Sequence, residues 1–78
     1  MTSEPKRYEI PYLRAWRLYK LWDQGELARG AGVGRNTVAR LEHTGERANE
    51  LTVHKLARAL GISVEKLLDE KPPKVRVA

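Results

Sequence analysis

Residues 24–42 read QGELARGAGVGRNTVARLE, two short helical patterns joined by a turn that carries glycine. Asp23, followed three residues later by Glu26, sets up a capping box for the first pattern, about Gln24 to Ala31. Leu27, Ala28 and Ala31 form its apolar side. Gly25 and Gly30 each cost up to about 1 kcal/mol against alanine inside a helix, so this segment leans on tertiary packing. Gly32-Val33-Gly34 follows as a turn with one apolar anchor. Val38 and Leu41, three apart, predict a second helix over about Arg35 to Glu42 that points them inward. Small Ala28 is expected where the two helices cross, and Val33 is expected to plug the space beneath the turn.

Working outward, an upstream helix is predicted from about Pro11 to Leu21. Pro11 suits a first turn, having no N–H to leave unpaired. Leu13, Trp16 and Trp22 are expected to face inward, with Arg14 and Lys20 toward water. Downstream, His43 to Ala48 reads as a polar loop. A fourth helix over about Glu50 to Leu60 is capped by Asn49, buries Val53, Leu56, Ala57 and Leu60, and stops at Gly61. Ser63 caps a short fifth helix, about Val64 to Asp69, with Val64, Leu67 and Leu68 packing back. The predicted fold is therefore all-α, a compact five-helix bundle over residues 11–70. Residues 1–10 read as a flexible basic arm and residues 71–78 as a basic tail, where Pro72-Pro73 stops any helix. Val75-Arg76-Val77 alternates like a strand, so the tail is either disordered or paired with a partner.

Composition narrows the function. The chain has 78 residues, 41% of them hydrophobic and 32% charged, with a net charge of +5. Its isoelectric point near 9.9 is the electrostatic signature expected of a nucleic-acid binder. No cysteine is present, and His43 and His54 are the only histidines, so no metal site and no cofactor are expected. Neither histidine has an evident carboxylate partner, and no phosphate-cradling glycine loop appears; catalysis is not expected. No apolar run approaches a membrane span, and residues 1–11 are polar, without the apolar stretch of a secretory signal. A cytoplasmic, nucleoid-associated protein with no membrane contact and no small-molecule ligand is expected.

The exposed side of the second helix of the pair carries the specific signal. Arg35, Asn36, Thr37 and Arg40 lie close to its start. Arginine pairs bidentately with guanine, asparagine with adenine, and the threonine methyl can touch thymine. A helix pair with so short a turn can hold its second helix proud of the body, with these residues in a DNA major groove. A solvated polar face is the plain alternative for the same residues.

From about Leu13 to Leu68 the chain resembles the Cro/phage-repressor-like helix-turn-helix group, also called the XRE family. The matching residues are Arg17 in the first helix, Gln24, Glu26, Leu27 and Ala28 in the second, Gly32-Val33 in the turn, and Val38 with Leu41-Glu42 in the third. Leu56-Ala57, Ala59-Leu60-Gly61 and Leu67-Leu68 extend the match. The resemblance implies a five-helix DNA-binding domain that acts on operator DNA, usually as a symmetric dimer. It implies a buried structural ion pair between Arg17 and Glu42, and base reading by Arg35, Asn36 and Arg40, with Thr37 on a base or a phosphate. It also implies phosphate contacts from Gln24 and, after the third helix, from His43, Thr44 and Arg47. Three features depart from the pattern. Gly34 stands where Ser or Thr usually caps the third helix, the loop before Gly45 is one residue longer, and Leu21 replaces the usual glycine after the first helix.

Together these readings predict sequence-specific binding of double-stranded DNA by a homodimer on a pseudo-palindromic operator, as a small transcriptional regulator of the repressor kind, with the chain expected to be the whole of a minimal regulator. Dimer contact is expected from the fourth and fifth helices, the nearby loop or the tail. Lys6 and Arg7 either reach DNA or form a solubilising leader. The rival reading is an antitoxin-like or adaptor protein whose main role is to bind a protein partner. It draws on Tyr8, Tyr12, Trp16, Tyr19 and Trp22, since aromatic residues are enriched at interfaces.

Overall fold

Helices α1 (Leu13–Tyr19), α2 (Gln24–Ala31), α3 (Arg35–His43), α4 (Glu50–Leu60) and α5 (Val64–Asp69) follow one another in a computed structural model that describes residues 6–73. Two short strands, β1 (Arg7–Tyr8) and β2 (Ala48–Asn49), accompany them.

Local chemistry sets most of the boundaries. At α2 the capping box is complete: the Glu26 amide donates to Asp23 Oδ1 at 2.7 Å and the Asp23 amide to Glu26 Oε1 at 2.9 Å. The Asn49 side chain caps α4 by accepting from the Thr52 amide at 2.8 Å, and the Ser63 hydroxyl accepts from the Lys66 amide at 3.2 Å to start α5. Gly32 and Gly61 end α2 and α4 in the left-handed region, at φ +70° and +71°. Gly34 precedes α3 in extended backbone without a side-chain cap.

The first helix is shorter than its sequence pattern. Pro11 and Tyr12 form a turn, α1 starts at Leu13, and it closes at Tyr19. Leu21 then takes φ +60° to turn the chain toward α2, a conformation that a side chain with a Cβ enters at a cost.

Leu13, Leu27, Val38, Val53, Leu56, Leu60 and Leu67 are the largest fully buried side chains, one or more from each helix. Trp16 is buried among them and its indole Nε1 donates to the Glu70 carbonyl at 2.9 Å, which ties the end of α5 to α1. Trp22 is only half-buried against the core.

The reading of residues 1–10 as a flexible arm needs correction over its second half. Arg7 pairs with Asn49 and Tyr8 with Ala48 in an antiparallel ribbon, Ile10 is 4% exposed and Tyr8 packs on the core. Ala48, assigned to a polar loop from sequence, is likewise buried. Two-residue strands are too short to leave an alternating pattern, and the ribbon stands only because its ends are anchored in the helical core. Residues 1–5 and 74–78, with the proposed tail strand, lie outside the described residues.

Candidate DNA interface

The helix α3 buries Val38 and Leu41 against the body and leaves Arg35, Asn36 and Arg40 exposed, with Thr37 half-buried. The four residues expected to read bases therefore share one helix, three of them exposed. Helix α2 packs directly on α3, and Ala28 and Val33 lie in or against the core near their junction.

Beneath this face, Arg17 and Glu42 fix the helix. Arg17 Nε donates to Glu42 Oε2 at 2.7 Å and Nη2 to Oε1 at 2.9 Å, a bidentate fork that joins α1 to α3. Arg17 Nη1 donates to the Trp22 carbonyl at 2.7 Å, so the same guanidinium also braces the turn after α1. The Glu42 side chain is wholly buried and that of Arg17 is 9% exposed. The hydrogen bond to Glu42 holds the Arg17 guanidinium above its ordinary pKa; burial works against this, and the charges of Glu42 and Asp23 add to it. No buried side-chain nitrogen or oxygen among the described residues lacks a partner.

The candidate phosphate contacts fall into different situations. Gln24, at the start of α2, donates from Nε2 to Glu42 Oε1 at 3.2 Å, and the same atom lies 3.4 Å from His43 Nε2. The fold thus brings Gln24 and the exposed His43 side by side, with the buried ion pair orienting the glutamine. Thr44 differs: its hydroxyl donates to the Arg40 carbonyl at 2.7 Å, capping the end of α3, and must rotate away before it can donate to a phosphate. Arg47 is exposed and sits 3.6 Å from Glu9.

Two features of the face were not anticipated from sequence. Arg40 Nε donates to Glu46 Oε2 at 3.1 Å, an exposed pair that places an acid beside the second arginine of α3. The β1–β2 ribbon also brings Arg7 to a groove lined by Thr37 and Arg40 of α3, and by Arg47. The Arg40–Glu46 spacing of six crosses a helix end, where no sequence periodicity applies. Nothing local in the sequence sets Arg7 beside residues forty positions away.

No group of three or more potential metal ligands occurs among the described residues, and no described helix is long and apolar enough to cross a membrane.

A helix-turn-helix family model matches residues 13–67, from the start of α1 into α5. The chain is similar in structure to the restriction-modification controller protein C.AhdI from Aeromonas hydrophila, with a TM-score of 0.69 and 32% identity over 72% of this chain and 85% of that one. It is also similar to the hypothetical transcription factor NHTF from Neisseria, with a TM-score of 0.67 and 29% identity over 87% of this chain and 85% of that one. No curated protein matches it in sequence. With a family match over most of its length and α3 presented on α2 as described, the chain belongs to the XRE-type helix-turn-helix family of DNA-binding regulators.

Proposed function

We propose that the chain is a sequence-specific, double-stranded-DNA-binding transcriptional repressor that acts as a homodimer on a pseudo-palindromic operator. The observation that carries this reading is the side of α3 turned away from the core, where Arg35, Asn36 and Arg40 are exposed on a helix braced by the Arg17–Glu42 pair. In this reading these three residues, with Thr37, meet base edges in the major groove. Gln24, His43 and Arg47 hold the flanking phosphates and set the register, and Thr44 joins them only on leaving the Arg40 carbonyl. The similarity to a controller protein and a transcription factor supports a regulatory role.

One copy offers a short reading helix and few contacts. Two copies on half-sites about 34 Å apart, one helical turn of DNA, double both. Leu51, 63% exposed at the start of α4, is the large apolar residue of that helix available to meet a second copy. Sedimentation of the protein with an operator-length duplex should give two chains per duplex. One chain per duplex at saturation would overturn the dimeric part of the proposal.

A second reading has a specific observation behind it. Leu18 and Tyr19 at the end of α1 are 48% and 38% exposed and Leu21 just after it 87%, three exposed apolar side chains within four residues near the α1–α2 turn. Such a grouping suits a protein partner. Recovery of one stoichiometric protein partner, lost on Leu18→Ser with Leu21→Ser, would favour an adaptor or antitoxin-like role alongside DNA binding.

A further inference from the structure

The ribbon is the part of the molecule that the helix-turn-helix reading leaves without a role. Its register sets Arg7 opposite Asn49, the residue that caps α4, and Tyr8 opposite the buried Ala48. Side chains alternate across a strand, so with Tyr8 packed on the core Arg7 faces the other way and is exposed. It lines one groove with Thr37 and Arg40 of α3, Glu46 and Arg47 of the following loop, and Thr52 of α4. Three guanidinium groups thus meet the one carboxylate that lines the groove.

We propose that Arg7 is a DNA-backbone contact, gripping with Arg47 a phosphate at the rim of this groove while α3 occupies the adjacent major groove. The proposal rests on the DNA-binding reading of α3 and adds a contact outside the helix-turn-helix unit. Arginine suits the role because its planar fork matches a phosphate bidentately. Position favours it as well: the groove wall is the side of α3 that carries Thr37 and Arg40, so a strand whose bases are read there runs past Arg7. The strand pairing holds the Arg7 backbone in place, so less freedom is lost on binding than from a loose arm. The carboxylates now near Arg40 and Arg47 are exposed and their ion pairs weak, so a phosphate can displace them.

The test compares wild type with Arg7→Thr, which keeps strand propensity without charge, and Arg7→Lys, which keeps charge. Affinity is measured by fluorescence anisotropy across a salt series, on a duplex recovered by selection and on a random duplex. One phosphate contact adds about 0.9 to the salt slope, so the wild-type advantage over Arg7→Thr should shrink about 3.5-fold between about 50 and about 200 mM salt. The loss should be equal on both duplexes, and Arg7→Lys should restore most of the slope. Unchanged affinity and slope in Arg7→Thr, with wild type binding normally, would overturn the role of Arg7 alone. A loss confined to the selected duplex would also overturn it, since that pattern marks base reading. Failure of the wild type to bind any duplex would overturn the DNA-binding reading itself. Melting curves run in parallel identify any loss that comes from unfolding, and the comparison is then made well below the lower midpoint.

Discussion

Replacing Glu42 with glutamine is the sharpest perturbation of the frame that holds α3. The carboxylate accepts from Arg17 Nε at 2.7 Å, Arg17 Nη2 at 2.9 Å and Gln24 Nε2 at 3.2 Å, three donors on two oxygens. Glutamine has the same shape but turns one oxygen into an NH₂ group. Whichever way the amide is placed, a donor faces a donor, and the Arg17 charge, 9% exposed, loses its counter-ion. Breaking a buried pair in this way costs about 3–5 kcal/mol. A domain of this size has about 4–12 kcal/mol of stability to lose, at about 0.05–0.15 kcal/mol per residue. At about 4–8 °C per kcal/mol the midpoint should fall by about 12–40 °C. Urea and thermal unfolding followed by circular dichroism and by the fluorescence of Trp16 and Trp22 measure the change directly. The double variant Arg17→Met with Glu42→Leu, which removes both charges, should be less destabilised than Glu42→Gln alone. A loss under about 1 kcal/mol in Glu42→Gln would refute the reasoning, because it would mean that the buried guanidinium does not depend on its carboxylate.

Other expectations concern the DNA face and the α1–α2 turn. Arg40→Ala should lower discrimination at one base-pair position by about 1–3 kcal/mol, read as a loss of preference there in a selection repeated with the variant. Arg47→Ala should instead weaken all sequences alike and reduce the salt slope by about 0.9 in anisotropy titrations. Glu46→Gln removes the acid 3.1 Å from Arg40 and should raise affinity for random duplex by up to about fivefold, the equivalent of about 1 kcal/mol for an exposed charge; an unchanged or weaker affinity would exclude Glu46 as a brake on non-specific binding. Leu21→Gly should stabilise the domain by about 0.5–1 kcal/mol, because it relieves a positive φ that costs about 1–2 kcal/mol and gives back part of that in chain entropy. Leu21 is 87% exposed, so little burial is lost, and a melting point below wild type would contradict the assignment of strain.

Most of the helical frame could be read from sequence because its signals are local. Asp23 with Glu26, Asn49, Ser63 and Gly61 act within one turn of themselves, and the structure places each of them at a cap. The apolar spacing of Val38 and Leu41 likewise set which side of α3 faces out. What escaped was non-local. Ile10 and Ala48 enter the core from segments without periodicity, and the ribbon they anchor has two residues per strand. The first helix is shorter than its pattern at both ends: Pro11 suits a helix start and a turn equally well and here takes the turn, and the positive φ of Leu21 lies past the end at Tyr19. At the candidate interface the residue types were legible, but their present partners were not. Neither Glu46 beside Arg40 nor the Thr44 hydroxyl turned back onto α3 follows from spacing alone.

Selection of bound duplexes from a random library at near-physiological salt, followed by sequencing of the enriched pool, tests most directly whether the exposed side of α3 reads DNA. The expected result is an inverted repeat whose half-sites lie about 34 Å apart, with a preference that changes at one position in Arg40→Ala. A folded protein that enriches no sequence would contradict base reading by α3 and leave only non-specific attraction by a chain of net charge +5.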